Sequence, residues 1–154
     1  EYFSKIGEKG MLIQNKLIDL VDEDTDAFNS IMQAYSMPKN SDDDKKVRED
    51  HIQIATKNAI EIPFKIMKVS FDSIDIIKKM ALNGNPNSIT DVGVAMHCVK
   101  AAINGAFLNV RINGNDLKDK VYVKDIITSG KKIIDQSILE EKEILSLVDK
   151  ILSK

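Results

Sequence analysis

Cysteine occurs once in this chain, at Cys98, so no internal disulfide can form, and a reducing cytoplasm is the expected compartment. The other soft metal ligands are His51 and His97, distant from one another in sequence, so no zinc site is expected. No apolar run is long enough to cross a bilayer and no signal-peptide core opens the chain, which argues against a membrane location. Charge of one sign does not dominate either. The 22 basic and 24 acidic residues leave a formal net charge of −2, which gives no footprint for nucleic acid. Tryptophan is absent, aromatics make up 5% and prolines number three. That scarcity excludes a β-sheet of consequence and points to helices packed through aliphatic side chains.

What is present is a 154-residue chain that is 43% hydrophobic and 30% charged, the profile of one soluble globular domain. Helical periodicity defines four long stretches. After Gly7 and Gly10, read as punctuation, the first carries Leu17, Leu20/Val21, Ala27/Phe28, Ile31 and Tyr35. A loop follows through Pro38 and Asn40, and Ser41 with Asp44 forms a capping-box pattern opening the second stretch. Its stripe runs from Ile52 to Met80 and stops at Asn83-Gly84, with Pro63 in the middle, where a kink is expected. The third stretch covers about Ser88 to Ile112 and the fourth about Lys118 to Leu152. The expected fold is a single all-α bundle of long helices spanning residues 1–154, one of them kinked at Pro63.

The third stretch differs from the others. Asp91, Ala95, Cys98, Ala102, Gly105/Ala106 and Asn109 recur at steps of three and four and so share one face. Small residues permit close approach of another helix, so this face is expected at the centre of the bundle or in a dimer seam. Gly93 and Gly105 each weaken a helix by up to about 1 kcal/mol relative to Ala, so packing is expected to favour them.

Two carboxylates are set apart by position. Asp24 continues the apolar stripe of the first helix and is followed by Phe28 and Ile31 on the same face; burial there would raise its pKa. A local ion pair or a hydrogen bond to a neighbouring helix explains Asp24 as well as a functional role does. With Ser88 as N-cap, Asp91 falls at the third helical position, where a carboxylate complements the helix dipole, and capping is its first reading. Asn83, Asn85 and Asn87 suit turns around Pro86. His97 and Cys98 lack a third member and read as packing. Arg111 suits either a carboxylate on a neighbouring helix or an anionic ligand.

The segments LVDEDTDAFNSIM, SMPK, GNPNSITDVGVA and GAFLNVRIN together resemble the formiminotetrahydrofolate cyclodeaminase family. That family forms the C-terminal half of bifunctional formimidoyltransferase-cyclodeaminases and also occurs as free-standing enzymes and methenyltetrahydrofolate cyclohydrolases. The resemblance runs from about Glu1 to the end. It also implies a glycine-rich segment of the PGGGS type and its helix ahead of Glu1, contributing to the core and the folate site.

The resemblance implies that N10 of 5-formimidoyltetrahydrofolate attacks the formimidoyl carbon on N5. Ammonia is then expelled and the 5,10-methenyl cation remains. On that basis Asp24 and Asp91 are assigned to proton transfer and cation stabilisation, with base and acid undivided. Asn85 and Asn87 are expected at the pterin, with Phe28 beside Asp24. Asn109, Arg111 and Asn113 are expected on the rim, Arg111 facing the glutamate carboxylates of folate. No metal and no cofactor beyond the tetrahydrofolate substrate are implied. The expected partners are the folate, a second copy in a homodimer or higher oligomer, and a formimidoyltransferase domain in the same polypeptide. Cyclohydrolysis of the methenyl ring and a non-catalytic assembly module stand as alternatives.

Overall fold

Five α-helices and one 3-10 turn account for nearly all of the computed structural model, which describes residues 1–153. The helices are α1 (Tyr2–Ser36), α2 (Asp42–Asp72), α3 (Ile74–Asn83), α4 (Ile89–Gly114) and α5 (Lys120–Leu152), and the 3-10 turn Pro86–Ser88 precedes α4. No strand occurs among the described residues, and none of the described helices is long and apolar enough to cross a membrane. The all-α bundle of long helices is therefore the fold.

Local sequence sets several boundaries. The capping box forms as the pattern implies: Asp44 N donates to Ser41 Oγ at 3.0 Å, and Ser41 N donates to Asp44 Oδ2 at 3.0 Å. Those bonds, the Ser41 backbone N–H first, hold the Asp44 carboxyl below its ordinary value. Gly7 and Gly10 do not punctuate α1, which runs straight through both. Neither adopts a positive φ, and the helix formers around them outweigh a cost of up to about 1 kcal/mol per glycine.

The long second stretch divides, and it does so at Ser73 rather than at its proline. There the Ser73 hydroxyl and N–H both turn back to Ser70 O, at 2.6 and 3.2 Å, and α3 begins. At Pro63 the helix continues. Proline has no N–H to give the carbonyl four residues back, Ala59 O. The Asn113 amide of α4 supplies the missing donor, with Nδ2 2.7 Å from Ala59 O. Nearby, Gln53 of α2 clamps the α4–α5 loop by accepting from Lys118 N at 2.7 Å and donating to Asp116 O at 3.3 Å.

Two apolar clusters build the core. Leu20 and Ala27 of α1 pack on Ala59, Ile62 and Val69 of α2. On the other side of α2, Ile60 and Met67 join Met96, Ile103, Phe107 and Val110 of α4 and Ile126, Ile144 and Val148 of α5. The order of layers is thus α1, α2, α4, α5, with α3 bridging one end. Gly130 lets α5 approach α4: a Cβ there would lie 2.7 Å from the Phe107 ring. Buried Ser137 satisfies its hydroxyl on Ile134 O at 2.7 Å, whereas buried Ser70 Oγ has no hydrogen-bond partner among the described residues.

The small-residue face of α4 is not the centre of the bundle. Its core side carries Gly93, Met96, Ile103, Phe107 and Val110, while Cys98, Ala102, Gly105 and Asn109 are exposed. Helical phase places that stripe on the opposite side of α4 from Gly93 and Phe107, the residues that meet α5. Packing within the chain does not account for Gly105, since nothing lies within 4 Å of a Cβ there.

Gly130→Ala should destabilise the fold by about 1–3 kcal/mol through overpacking on Phe107, while Gly7→Ala, in open space, should stabilise α1 by up to about 1 kcal/mol, both read by denaturant unfolding. Asn113→Ala should cost about 1–3 kcal/mol because Ala59 O loses its donor, and markedly less in a Pro63→Ala background where a backbone N–H returns. An equal cost in both backgrounds would show that the amide does not serve that carbonyl.

Candidate folate site

The candidate residues fall at two levels of the bundle. At the α3 end, a cleft of about 330 Å³ is walled by Ile76, Ile77 and Met80 of α3, by Gly84 and Asn85, and by Asp91, Val92 and Ala95 of α4. Gly84 has no room for a side chain, because a Cβ would sit 2.5 Å from Met80 O. Asn85 Oδ1 accepts from Asn87 N at 3.0 Å, which shapes the turn and leaves the Asn85 amide nitrogen free to face a ligand. Asn87 is exposed. Ser88 stands at the N-cap of α4 without a side-chain capping bond, and Asp91 follows in the first turn as expected. Among the described residues no hydrogen bond or ion pair engages the Asp91 carboxylate, which is exposed on a mostly apolar cleft that also holds Asn85 and Ser88.

The second level lies farther along α2. Glu23 of α1 pairs with Lys65 of α2 at 3.3 Å, which sets neighbouring Asp24 at the height of Lys65. Asp24 is half-buried between the seam residues Leu20 and Ala27, and neither an ion pair nor an interhelical hydrogen bond forms on it among the described residues. Phe28 is exposed one turn on. The Asn113–Ala59 bond fixes α4 antiparallel to α2, so Asn109 comes to the same height as Asp24. Among the described residues Arg111 pairs with no carboxylate; its guanidinium lies over the Phe107 ring, 6.0 Å from the centroid, on the other flank of α4 from Asn109. Asn113 is committed to Ala59 O, a structural duty that its place in the GAFLNVRIN motif does not disclose.

Within one chain, then, Asp24 and Asp91 stand apart. Asn109 marks the height of the first and Asp91 lies 18 residues before it on the continuous α4, an axial separation of about 27 Å at 1.5 Å per residue. The structure joins Asp91 with Asn85 and leaves Asp24 with Phe28 on α1, while Asn109 stands at a similar height on α4 with α2 between.

A half-buried titratable group lies elsewhere. Tyr122 of α5 donates its hydroxyl to Glu61 Oε1 at 3.2 Å beneath the Lys57 ammonium, and burial first, then the Glu61 charge, pushes its pKa up to about 12. This group ties α5 to α2. Its signal in the sequence was weak, since Tyr122 sits at an ordinary helical position. No cluster of three potential metal ligands occurs among the described residues.

Known proteins bear directly on this arrangement. The chain is 35% identical over 118 residues to methenyltetrahydrofolate cyclohydrolase of Methylorubrum extorquens, an alignment covering 77% of this chain and 57% of that protein. It is 26% identical over 136 residues to formimidoyltransferase-cyclodeaminase of Gallus gallus, covering 88% of this chain and 25% of the relative. The chain thus spans little more than half of the first relative and a quarter of the second. The crystal structure of formiminotetrahydrofolate cyclodeaminase from Thermotoga maritima superposes with a TM-score of 0.71 at 25% identity, over 93% of this chain and 65% of that one. Residues 1–132 match the formiminotransferase-cyclodeaminase family across most of the bundle, and the chain belongs to that family.

Proposed function

We propose that this protein closes 5-formimidoyltetrahydrofolate to 5,10-methenyltetrahydrofolate with release of ammonia. The observation that carries this reading is an unpartnered carboxylate, Asp91, opening on an apolar cleft of about 330 Å³ in a chain of this family. A flat, cationic methenyl ring matches such a cleft: apolar walls take its faces and the carboxylate opposes its charge.

Starting from the protonated, amidinium form of the formimidoyl group, the proton transfers balance within the site. N10 forms a bond to the formimidoyl carbon and loses one proton. The C–N bond to the amino group breaks as that nitrogen gains one proton and leaves as ammonia. A carboxylate that accepts from N10 and donates to the departing nitrogen completes the cycle unchanged. Asp24 and Asp91 are the groups assigned to this transfer and to holding the cation. The step as written requires neither a metal nor a protein nucleophile. The Asn85 amide and exposed Asn87 suit the hydrogen-bonding edge of the pterin. Phe28 follows Asp24 by one turn of α1, and Arg111, paired with no carboxylate among the described residues, suits the glutamate carboxylates of the tail. A formimidoyltransferase, as a domain or a separate enzyme, would supply the substrate.

Cyclohydrolysis is the second reading, favoured by the 35% identity to the Methylorubrum enzyme. It starts from the same methenyl species, with water as the nucleophile on its central carbon.

Incubation with 5-formimidoyltetrahydrofolate should give methenyl absorbance and ammonia in equal amounts. Asp24→Asn and Asp91→Asn should each slow turnover by about 100-fold or more while remaining folded. Methenyltetrahydrofolate consumption without any ammonia-releasing activity would replace the first reading by the second, and inertness toward both folates would remove both.

A further inference from the structure

We propose that Asp75 and Lys78 of α3, with Lys9 of α1 and Glu140 and Glu143 of α5, are positioning residues of the folate site. They brace α3 from its outer side and so hold it in place as one wall of the cleft. The proposal rests on the folate reading for what the cleft binds.

The 10 residues of α3 divide into three faces. Ile74, Ile77 and Ala81 recur at steps of three and four and are buried in the core. Ile76 and Met80 join Ile77 on the cleft that holds Asp91. Asp75, Lys78 and Lys79 form the third face, and its ion pairs reach two other helices. Lys9 Nζ donates to Asp75 Oδ2 at 2.9 Å. Lys78 Nζ donates to Glu143 Oε2 at 2.6 Å and to Glu140 Oε2 at 3.2 Å. Lys79 shares the Asp75 oxygen at 2.8 Å.

Isolated pairs on an open surface contribute little. Here the charges form networks, and Lys78 and Glu140 keep only 31% and 34% of their side-chain surface in water, which weakens screening. Packing does not replace them on that side. Behind α3 lies a cavity of about 510 Å³ walled by Lys9, Ile13, Phe71, Asp75, Lys78 and Glu140, so ions rather than packed side chains oppose movement there. The helix breaks at Ser73, so α2 does not by itself fix the direction of α3.

The wall is sensitive to that direction. Met80 stands about 10 Å along α3 from Ser73, so a tilt of about 10° at the break moves it by about 2 Å. The opposite wall is Val92 and Ala95 of α4, and a shift of that size changes the width of the cleft. A flat ring is gripped between these walls both before and during reaction. Loosening α3 therefore weakens substrate binding more than it slows the chemical step.

The test uses Asp75→Asn, Glu143→Gln and the double variant, which keep side-chain shape and make the surface less negative. A folate anion would then be attracted more strongly, so weaker binding could not come from long-range charge. The double variant should raise KM for 5-formimidoyltetrahydrofolate about threefold or more and leave kcat within about twofold. Its α3 amides should exchange hydrogen about threefold faster, with those of α4 unchanged. Unchanged exchange and KM in the folded double variant would overturn the brace, and faster exchange with unchanged KM would overturn the positioning role. Faster exchange in a protein whose wild type is inert toward both folates would fail the folate reading and leave the brace on α3 standing.

Discussion

The hydrogen bond from the Asn113 amide to Ala59 O decides where α4 lies along α2, and most of the functional geometry depends on that register. Pro63 frees the carbonyl, and a side chain from the neighbouring helix takes it up. A defect in one helix thereby becomes a fixed point between two. With α4 held there, Asp91 meets α3 beside Asn85, and Asn109 rises to the height of Asp24. A shift of one turn would move each of these by about 5.4 Å.

Packing explains why the chain leaves particular faces bare. Alanines on both sides of the α1–α2 seam bring those helices close, and α1 has α2 as its principal neighbour. Its opposite side presents Ile18, Val21, Phe28 and Met32 to solvent. On the other side of α2, α4 and α5 enclose the larger core, where Gly130 takes the Phe107 ring against its backbone. The bare faces of α1 and α4 are thus the surfaces on which α2 and α5 do not pack. Both carry candidate site residues, so the chemistry sits where a second surface would close over it.

Much of this was legible in the sequence wherever the determinant is local. The capping box of Ser41 and Asp44, the Gly84 stop and the first-turn position of Asp91 each follow from residues a few positions apart. The ordered motifs carried the family. Periodicity misled where it stayed continuous, since apolar residues keep their helical phase across the break at Ser73. It also could not tell small residues in a core from small residues on an outer face, which is why the α4 stripe was expected either at the centre of the bundle or in a dimer seam. The partner of Asn113 lies 54 positions away, and no local pattern reveals a carbonyl orphaned by a distant proline. The separation of Asp24 from Asp91 is likewise a matter of helix register, which the order of motifs along the chain does not encode.

The most direct measurement is a crystal structure with a non-reactive N5-substituted tetrahydrofolate bound. The N5–N10 edge should lie against the Asp91 carboxylate in the cleft beside Asn85. A folate bound away from that cleft, with Asp91 remote from N5 and N10, would contradict the account.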